Sequence, residues 1–288
     1  MPKLSRSKKL FKSFPKYSQI SWTLLHPIAF SKKYFFYDKS KRDICQIIAE
    51  GDDMFAGNKE HYFSVGESAM KNILTALNLA GRNNCMSILD IPSGYGRVLR
   101  HLKAEFPEAR ITACELEKSA VDFCVNTFGA KGLYSEKNIA DLKTEDKFDL
   151  IWVGSLFTHL DKHLWPSFFE FFYNHLEERG VLIFTTHGRC VANRMNNKVY
   201  NYGISEEKIS KVINSYQETG FGYTHYPYSS DYGISISSPA WIFAELAKFM
   251  NFRILFFSEQ GWDNHQDVVA CIKENETEST SEWLKNIE

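Results

Sequence analysis

Several things are missing from this 288-residue chain, and each absence closes a class of function. No apolar run is long enough to cross a bilayer, and the N-terminus has no unbroken apolar core of the kind that directs secretion. A cytoplasmic protein is expected. The first residues are basic and contain serine, but they are lysine-rich rather than arginine-rich, which argues against a transit peptide. The six cysteines (Cys45, Cys85, Cys114, Cys124, Cys190 and Cys271) are scattered, with no CxxC pair and no Cys/His cluster. Neither a zinc site nor a disulfide framework is predicted, and free thiols with no metal fit that pattern. Charge of one sign is lacking too. The formal net charge is −1, so nothing draws the whole chain to nucleic acid. What the chain has in excess is aromatic residues, 15% of the total with phenylalanine the largest group. That surplus predicts a large core, an aromatic-lined pocket, or both.

The length suits one large domain with additions. Its two ends differ from its middle. Between Met1 and Tyr37 lie Lys3, Arg6, Lys8, Lys9, Lys12, Lys16, Lys32 and Lys33 and no acid, whereas residues 274–288 are mostly acidic and polar. A basic aromatic arm (1–40), a central domain (41–273) and an acidic tail (274–288) follow from that. The arm is a candidate for peripheral contact with an anionic membrane or a partner enzyme. From Arg42 to Leu79 the pattern reads as helical, with Met70, Ile73, Leu74 and Leu77 on one face. Strands and helices then alternate: strands over 87–91, 110–115, 132–135, 148–153 and 180–186, and helices over 95–106, 118–128 and 162–176. Such alternation predicts an α/β fold, a doubly wound and mostly parallel sheet with helices on both faces. The alternation breaks over 188–237, a stretch rich in Tyr, Asn, Gly and Ser with one predicted helix at 206–216, and this reads as an insertion or acceptor lid. A helix over 239–250 and strands over 253–257 and 267–272 complete the domain. The short link between these last two strands demands an antiparallel hairpin, which makes seven strands with the last one reversed.

The informative run is Ile88-Leu-Asp-Ile-Pro-Ser-Gly-Tyr-Gly-Arg97. A strand ends in an acid, a turn carries Gly94 and Gly96, and a helix follows. Glycines let a backbone approach a ligand closely. A dinucleotide fingerprint wants a third glycine at position 99, which is Leu99, and that weakens a nicotinamide cofactor. Asp90 is placed to accept from a cationic amine. Glu115, ending the second strand at the same sheet edge, is placed to accept from both hydroxyls of a ribose. Asp141 offers a further polar point toward an adenine edge, with Leu142 to pack on the ring. Arg97 sits in the first turn of a helix, where a cation opposes the dipole, so it wants a carboxylate: Asp90 or an anionic ligand tail.

Together these residues resemble the class I S-adenosylmethionine (SAM)-dependent methyltransferases, from about Ser68 to Lys273. Asp90 to Arg97, with Ser93, Gly94 and Gly96, is similar to that family's glycine turn, which holds the methionine moiety. Glu115 matches its ribose-binding acid, and Asp141-Leu142 its adenine contact. Phe148 to Ser155 resembles the fourth-strand motif, which would put Gly154 and Ser155 next to the sulfonium. Pro92 stands where many members carry glycine. The resemblance implies a Rossmann-like fold, SAM as cofactor and methyl transfer as the reaction. It also implies absences: no Asn/Asp-Pro-Pro-Tyr/Phe motif follows the fourth strand, and no Pro-Cys nucleophile is present, which argues against methylation of nucleic-acid bases.

Methyl transfer to a hydroxyl calls for a general base at the active edge. His159, His187 and His265 satisfy that topological condition, with His265 and His187 ranked ahead of His159, and Asp267 is a candidate to orient His265. Tyrosines of the insertion are candidates to stack on a sugar face or an aromatic acceptor. The segment from Asp231 to Val269 resembles a bacterial subgroup associated with surface-glycan synthesis, so a sugar or glycan hydroxyl is the expected acceptor. A small aromatic metabolite is the alternative acceptor, and a non-catalytic SAM-binding partner module the alternative role.

Overall fold

The computed structural model describes residues 43–82, 84–229, 232–249 and 251–274. The basic arm, and the acidic tail beyond Glu274, lie outside the described residues. Seven strands form the main sheet: β1 (Ser87–Asp90), β2 (Arg110–Glu115), β3 (Lys131–Tyr134), β4 (Phe148–Val153), β5 (Leu176–Thr186), and the final pair, which are β8 (Phe252–Trp262) and β9 (Gln266–Lys273). Their spatial order is β3-β2-β1-β4-β5-β9-β8. The first five run parallel, and β9 is antiparallel to both of its neighbours. This is the doubly wound sheet with one reversed strand that the alternation predicts. The order reverses between β1 and β4, and in such sheets ligands bind outside the carboxyl ends at that switch point.

The helices differ from expectation at their starts. Residues 43–58 are irregular, not helical, and α1 (Lys59–Leu79) begins only after Asn58, whose side chain accepts from the His61 amide at 3.0 Å. Gly51 and Gly57 disfavour a helix across that stretch, and Gly57 sits at φ +79°. Likewise α2 (Leu99–Glu105) starts four residues later than the pattern suggests, because Gly94 and Gly96 hold φ values of +49° and +77°. By contrast α3 (Lys118–Phe128) has the predicted bounds, with Gly129 as a left-handed C-cap.

The phenylalanine surplus is core. On α4 (Trp165–His175), Trp165, Phe168, Phe169, Phe171 and Phe172 are buried. They close on Phe157, whose ring lies 4.3 Å from Trp165, 5.0 Å from Phe169 and 5.1 Å from Phe184. Truncating Phe157 to alanine is expected to cost about 3–5 kcal/mol, the usual range for a fully buried aromatic, read as a drop in melting temperature.

The insertion is more ordered than its composition suggests. It holds α5 (Arg189–Asn196), α6 (Glu206–Thr219) and a separate hairpin of β6 (Phe221–His225) and β7 (Gly233–Ser237), followed by α7 (Pro239–Leu246). Three bonds fasten β7 to the active edge: Ser235 N to Thr158 O (2.9 Å), Ser235 Oγ to Phe157 O (2.7 Å) and Ser237 N to His187 O (2.8 Å). No helix among the described residues is long and apolar enough to cross a membrane.

Candidate active site

At the carboxyl ends of β1, β2 and β4 lies a cavity of about 700 Å³. Its floor includes Pro92, Glu115, Leu116 and Asn138, one wall carries Ser155 and His159, and the insertion hairpin adds Tyr223 and Tyr232. The tyrosines thus supply the aromatic lining while the phenylalanines fill the core, which satisfies both readings of the surplus.

Each residue singled out in the sequence can now be placed. Asp90 ends β1 at 1% exposure, and its Oδ2 has no hydrogen-bond partner among the described residues. Burial first, and then the Glu115 carboxylate, push its carboxyl well above the usual range. Ser93 donates its amide to Cys114 O at 3.0 Å, which pins the turn to β2. Gly94 donates to Glu115 Oε2 at 3.0 Å, and a Cβ built on it would meet nothing within 4 Å, so the turn leaves an open cradle. Gly96 has another purpose. A Cβ there would lie 2.6 Å from the Phe128 ring and 3.2 Å from Cys124 Sγ, so this glycine lets the turn pack on α3. Gly96→Ala is expected to destabilise the fold by about 1–3 kcal/mol, from the positive φ and the collision together, with a lowered denaturant midpoint as the readout.

Glu115 accepts from Gly94 N and from Leu116 N (2.7 Å), leaving further lone pairs toward the cavity it lines. Asp141 and Leu142 do not line that cavity. Asp141 is exposed and accepts from Asn138 Nδ2 at 3.1 Å, while Leu142 is buried in the core at 6% exposure. Asn138, one short 3₁₀ turn earlier, occupies the wall instead. Helical compaction of 139–141 explains the shift, since extended spacing does not anticipate it.

Arg97 lies between two rings, 6.0 Å from the centroid of Tyr62 and 5.8 Å from that of Trp262, with no carboxylate at ion-pair distance among the described residues. It does not pair with Asp90. Gly154 packs under the same ring, because a Cβ there would lie 3.1 Å from Trp262 and 2.8 Å from Trp152 Nε1. Ser155 is held at φ +61° by a closed circuit. Its amide donates to Thr185 Oγ1 (2.8 Å), Thr185 Oγ1 donates to Gln266 Oε1 (2.6 Å), and Gln266 Nε2 donates to Ser155 Oγ (2.8 Å). Sequence reasoning missed Thr185 and Gln266, since their role exists only through the β5–β9 pairing.

The three histidines form a row. Ring centroids are 6.3 Å apart for His159–His187 and 5.4 Å apart for His187–His265. Burial pushes the pKa of all three down, so the row is neutral near pH 7. His159 Nδ1 lies 2.8 Å from Gly233 O, and His187 Nδ1 lies 3.3 Å from Ser235 O. A carbonyl only accepts, so both rings carry their proton on Nδ1 and present a lone pair on Nε2. His265 is the reverse. Arg194 donates to its Nδ1 at 2.7 Å, so the proton of the neutral ring sits on Nε2. Asp267 does not orient His265. It accepts from Gln260 N at 2.8 Å and lies against Gly188, where a Cβ would fall 1.8 Å from its Oδ2.

These features fit a SAM molecule: the buried Asp90 carboxyl, with an Oδ2 unbonded among the described residues, for its ammonium, the Arg97 guanidinium for its carboxylate, Glu115 for its ribose and an open glycine cradle. The comparisons agree. Residues 88–180 match the family model described as a methyltransferase domain. That segment is similar to a methyltransferase domain. Three solved structures share its fold. An S-adenosylmethionine-dependent methyltransferase from Clostridium acetobutylicum is 16% identical, with 74% of this chain and 92% of that one covered and a TM-score of 0.51. The PH0226 protein of Pyrococcus horikoshii is 12% identical (84% and 99% covered, TM-score 0.53), and DesVI of Streptomyces venezuelae is 14% identical (78% and 99% covered, TM-score 0.53). No curated protein matches the sequence. Domain match, fold and fitted residues together support SAM-dependent methyl transfer.

Asp90 then links cofactor binding to pH. Its carboxyl is neutral over more of the acid range than usual, and a bound ammonium favours the carboxylate. Binding therefore releases a proton below the raised pKa. SAM affinity is expected to rise by up to about tenfold per pH unit until that pKa is passed, then level off. Calorimetry in buffers of different ionisation enthalpy reads the released proton, and Asp90→Asn is expected to flatten the slope.

Proposed function

We propose that this enzyme methylates a hydroxyl of a sugar or glycan acceptor, with His159 as the general base. One observation carries the reading: His159 is on the cavity wall, its Nδ1–H is fixed by Gly233 O, and its Nε2 lone pair is the one left to take a proton. His187 has the same tautomer but is 5% exposed and lies behind it. His265 receives the Arg194 donor on Nδ1, which favours a donor role for its other nitrogen over a base.

Aromatic faces and polar edges alternate around His159. Tyr232 stacks on it at 4.7 Å with an interplanar angle of 28°, and the Tyr226 hydroxyl lies 3.4 Å from its Nδ1. Sugar rings need that mixture, an apolar ring face beside donors and acceptors. When bound, the cofactor supplies a methyl group on a sulfonium, which is the electrophile. The protein's part is to hold the acceptor oxygen in line and to receive its proton on His159 Nε2 as the new O–C bond forms and the S–C bond breaks.

A second reading is a flat aromatic acceptor, favoured by the apolar wall of Leu156, Leu160, Leu164 and Phe168. The deciding experiment follows formation of S-adenosylhomocysteine (SAH) from SAM across neutral sugars, acidic sugars, oligosaccharides, phenols and aromatic amines, with product mass measured. Turnover of a saccharide with a mass gain of one methyl group supports the proposal. Turnover of phenols or aromatic amines alone replaces it with the second reading.

A further inference from the structure

We propose that the acceptor is anionic and that Arg194 binds its carboxylate or phosphate group beside His265. This rests on reading the histidine row as the acceptor edge of a methyltransferase.

The described arginines fall into two groups. Those with structural roles have acid or carbonyl partners. Arg82 pairs with Asp149 at 2.6 Å, Arg253 with Glu274, and Arg100 donates to the carbonyls of Gly96, Cys45 and Ile47. Arg189, on α5 itself, makes a two-pronged contact with Glu259 at 2.6 and 2.5 Å. Arg194 lies on the same helix five residues later and has no such partner. Its hydrogen bond goes to the neutral His265 ring, and among the described residues no carboxylate is at ion-pair distance. Arg97 is the other exception, and it lines a small recess with His265 and Gln266. Two guanidinium groups with no acid at ion-pair distance among the described residues thus flank His265, one from the cofactor turn and one from the insertion.

The nearby acids serve Arg97 and His265: Asp52 and Asp263 give counter-charge to Arg97, and Asp263 to His265. Asp263 is the acid of that recess, and its carboxylate pairs with His61 at 3.1 Å. Tyr202 stacks on His265 at 5.8 Å with an interplanar angle of 16°, and burial pushes its hydroxyl pKa up against the opposing pull of the neighbouring Arg194 guanidinium. With five N–H donors, the half-buried Arg194 has some to spare beyond His265 and the Tyr202 hydroxyl. The bound cofactor does not repair this. Arg97 would match its carboxylate and Asp90 its ammonium, and its sulfonium would add positive charge. A neutral acceptor would leave the Arg194 cation uncompensated in a partly desolvated place, whereas an anionic one satisfies it with charge-assisted bonds.

The test uses the full chain saturated with SAH, so that Arg97 is engaged, and titrates it with D-glucuronate, with glucose 1-phosphate and with glucose. At least one anion is expected to bind saturably, about tenfold or more tighter than glucose, and the better of the two identifies carboxylate or phosphate. Arg194→Gln is expected to erase that preference while leaving SAH affinity within about twofold. The proposal is overturned if neither anion outcompetes glucose, if the variant keeps the preference, or if the variant loses SAH, which would assign Arg194 to the cofactor. Absence of SAH binding by the folded wild type would sink the methyltransferase reading and this proposal with it.

Discussion

Replacing Glu115 with alanine is expected to weaken SAM binding by about two orders of magnitude. A carboxylate that accepts from both ribose hydroxyls makes two charge-assisted bonds, and roughly 3 kcal/mol in total corresponds to about 10²-fold in Kd. The same side chain has a second duty in the free protein, where it accepts from the amides of Gly94 and Leu116 and ties the glycine turn to β2. Both amides are near solvent, so water replaces the lost acceptor and the fold is expected to lose only about 1 kcal/mol. Titration calorimetry and thermal melts on the same samples separate the two effects. A variant that melts much lower and binds weakly would point to collapse of the turn. Equal affinity in variant and wild type would remove Glu115 from the cofactor site.

How much of this was legible in the sequence depends on whether a feature is local. Strand β4, helix α3 and the β1 turn were readable because apolar runs, Gly129 and the Gly94–Gly96 pair act within a few residues. The parallel sheet followed from alternation, and the reversed final strand from the short link between the last two predicted strands. The hairpin of β6 and β7 was not readable. Its strands are short, separated by seven residues of only Tyr, Pro, Ser and Asp, and stabilised by bonds from Ser235 to the loop after β4. The chemistry of the histidines was half readable. Topology brought His159, His187 and His265 to one edge, but their tautomers depend on Gly233 O, Ser235 O and Arg194, which lie between about 50 and 75 residues away in sequence. For the same reason the ranking of His265 ahead of His159 could not be checked from spacing. Arg97 shows the opposite case: its need for a carboxylate, Asp90 or an anionic ligand tail, was argued from the helix dipole alone, and burial against Tyr62 and Trp262 adds a desolvation cost to that need.

Once an acceptor is turned over, His159→Ala is expected to lower kcat by about 10²–10⁴-fold, the usual worth of a positioned general base, with SAM affinity within about twofold of wild type. The pH profile carries the sharper test. A base works in its neutral form, and burial holds the His159 pKa below its ordinary value. The neutral ring therefore persists to lower pH than a free imidazole, and a cationic sulfonium in the site extends that range further. Wild-type kcat is expected to be flat through neutrality and to fall by about tenfold per pH unit below the depressed pKa. In the variant that acid limb disappears, while the slope in SAM affinity from Asp90 remains, because the two groups titrate for different reasons. His187→Ala is the control. Its ring is buried behind His159 and bonded to Ser235 O, so its loss acts on position, not on proton transfer, and the acid limb is expected to survive at a reduced rate. Should the limb instead vanish with His187 and persist without His159, the base assignment moves one residue along the row. A rise in KM with kcat unchanged in His159→Ala would leave that histidine as a wall of the acceptor pocket, and the acceptor would then be one acidic enough to lose its proton without help.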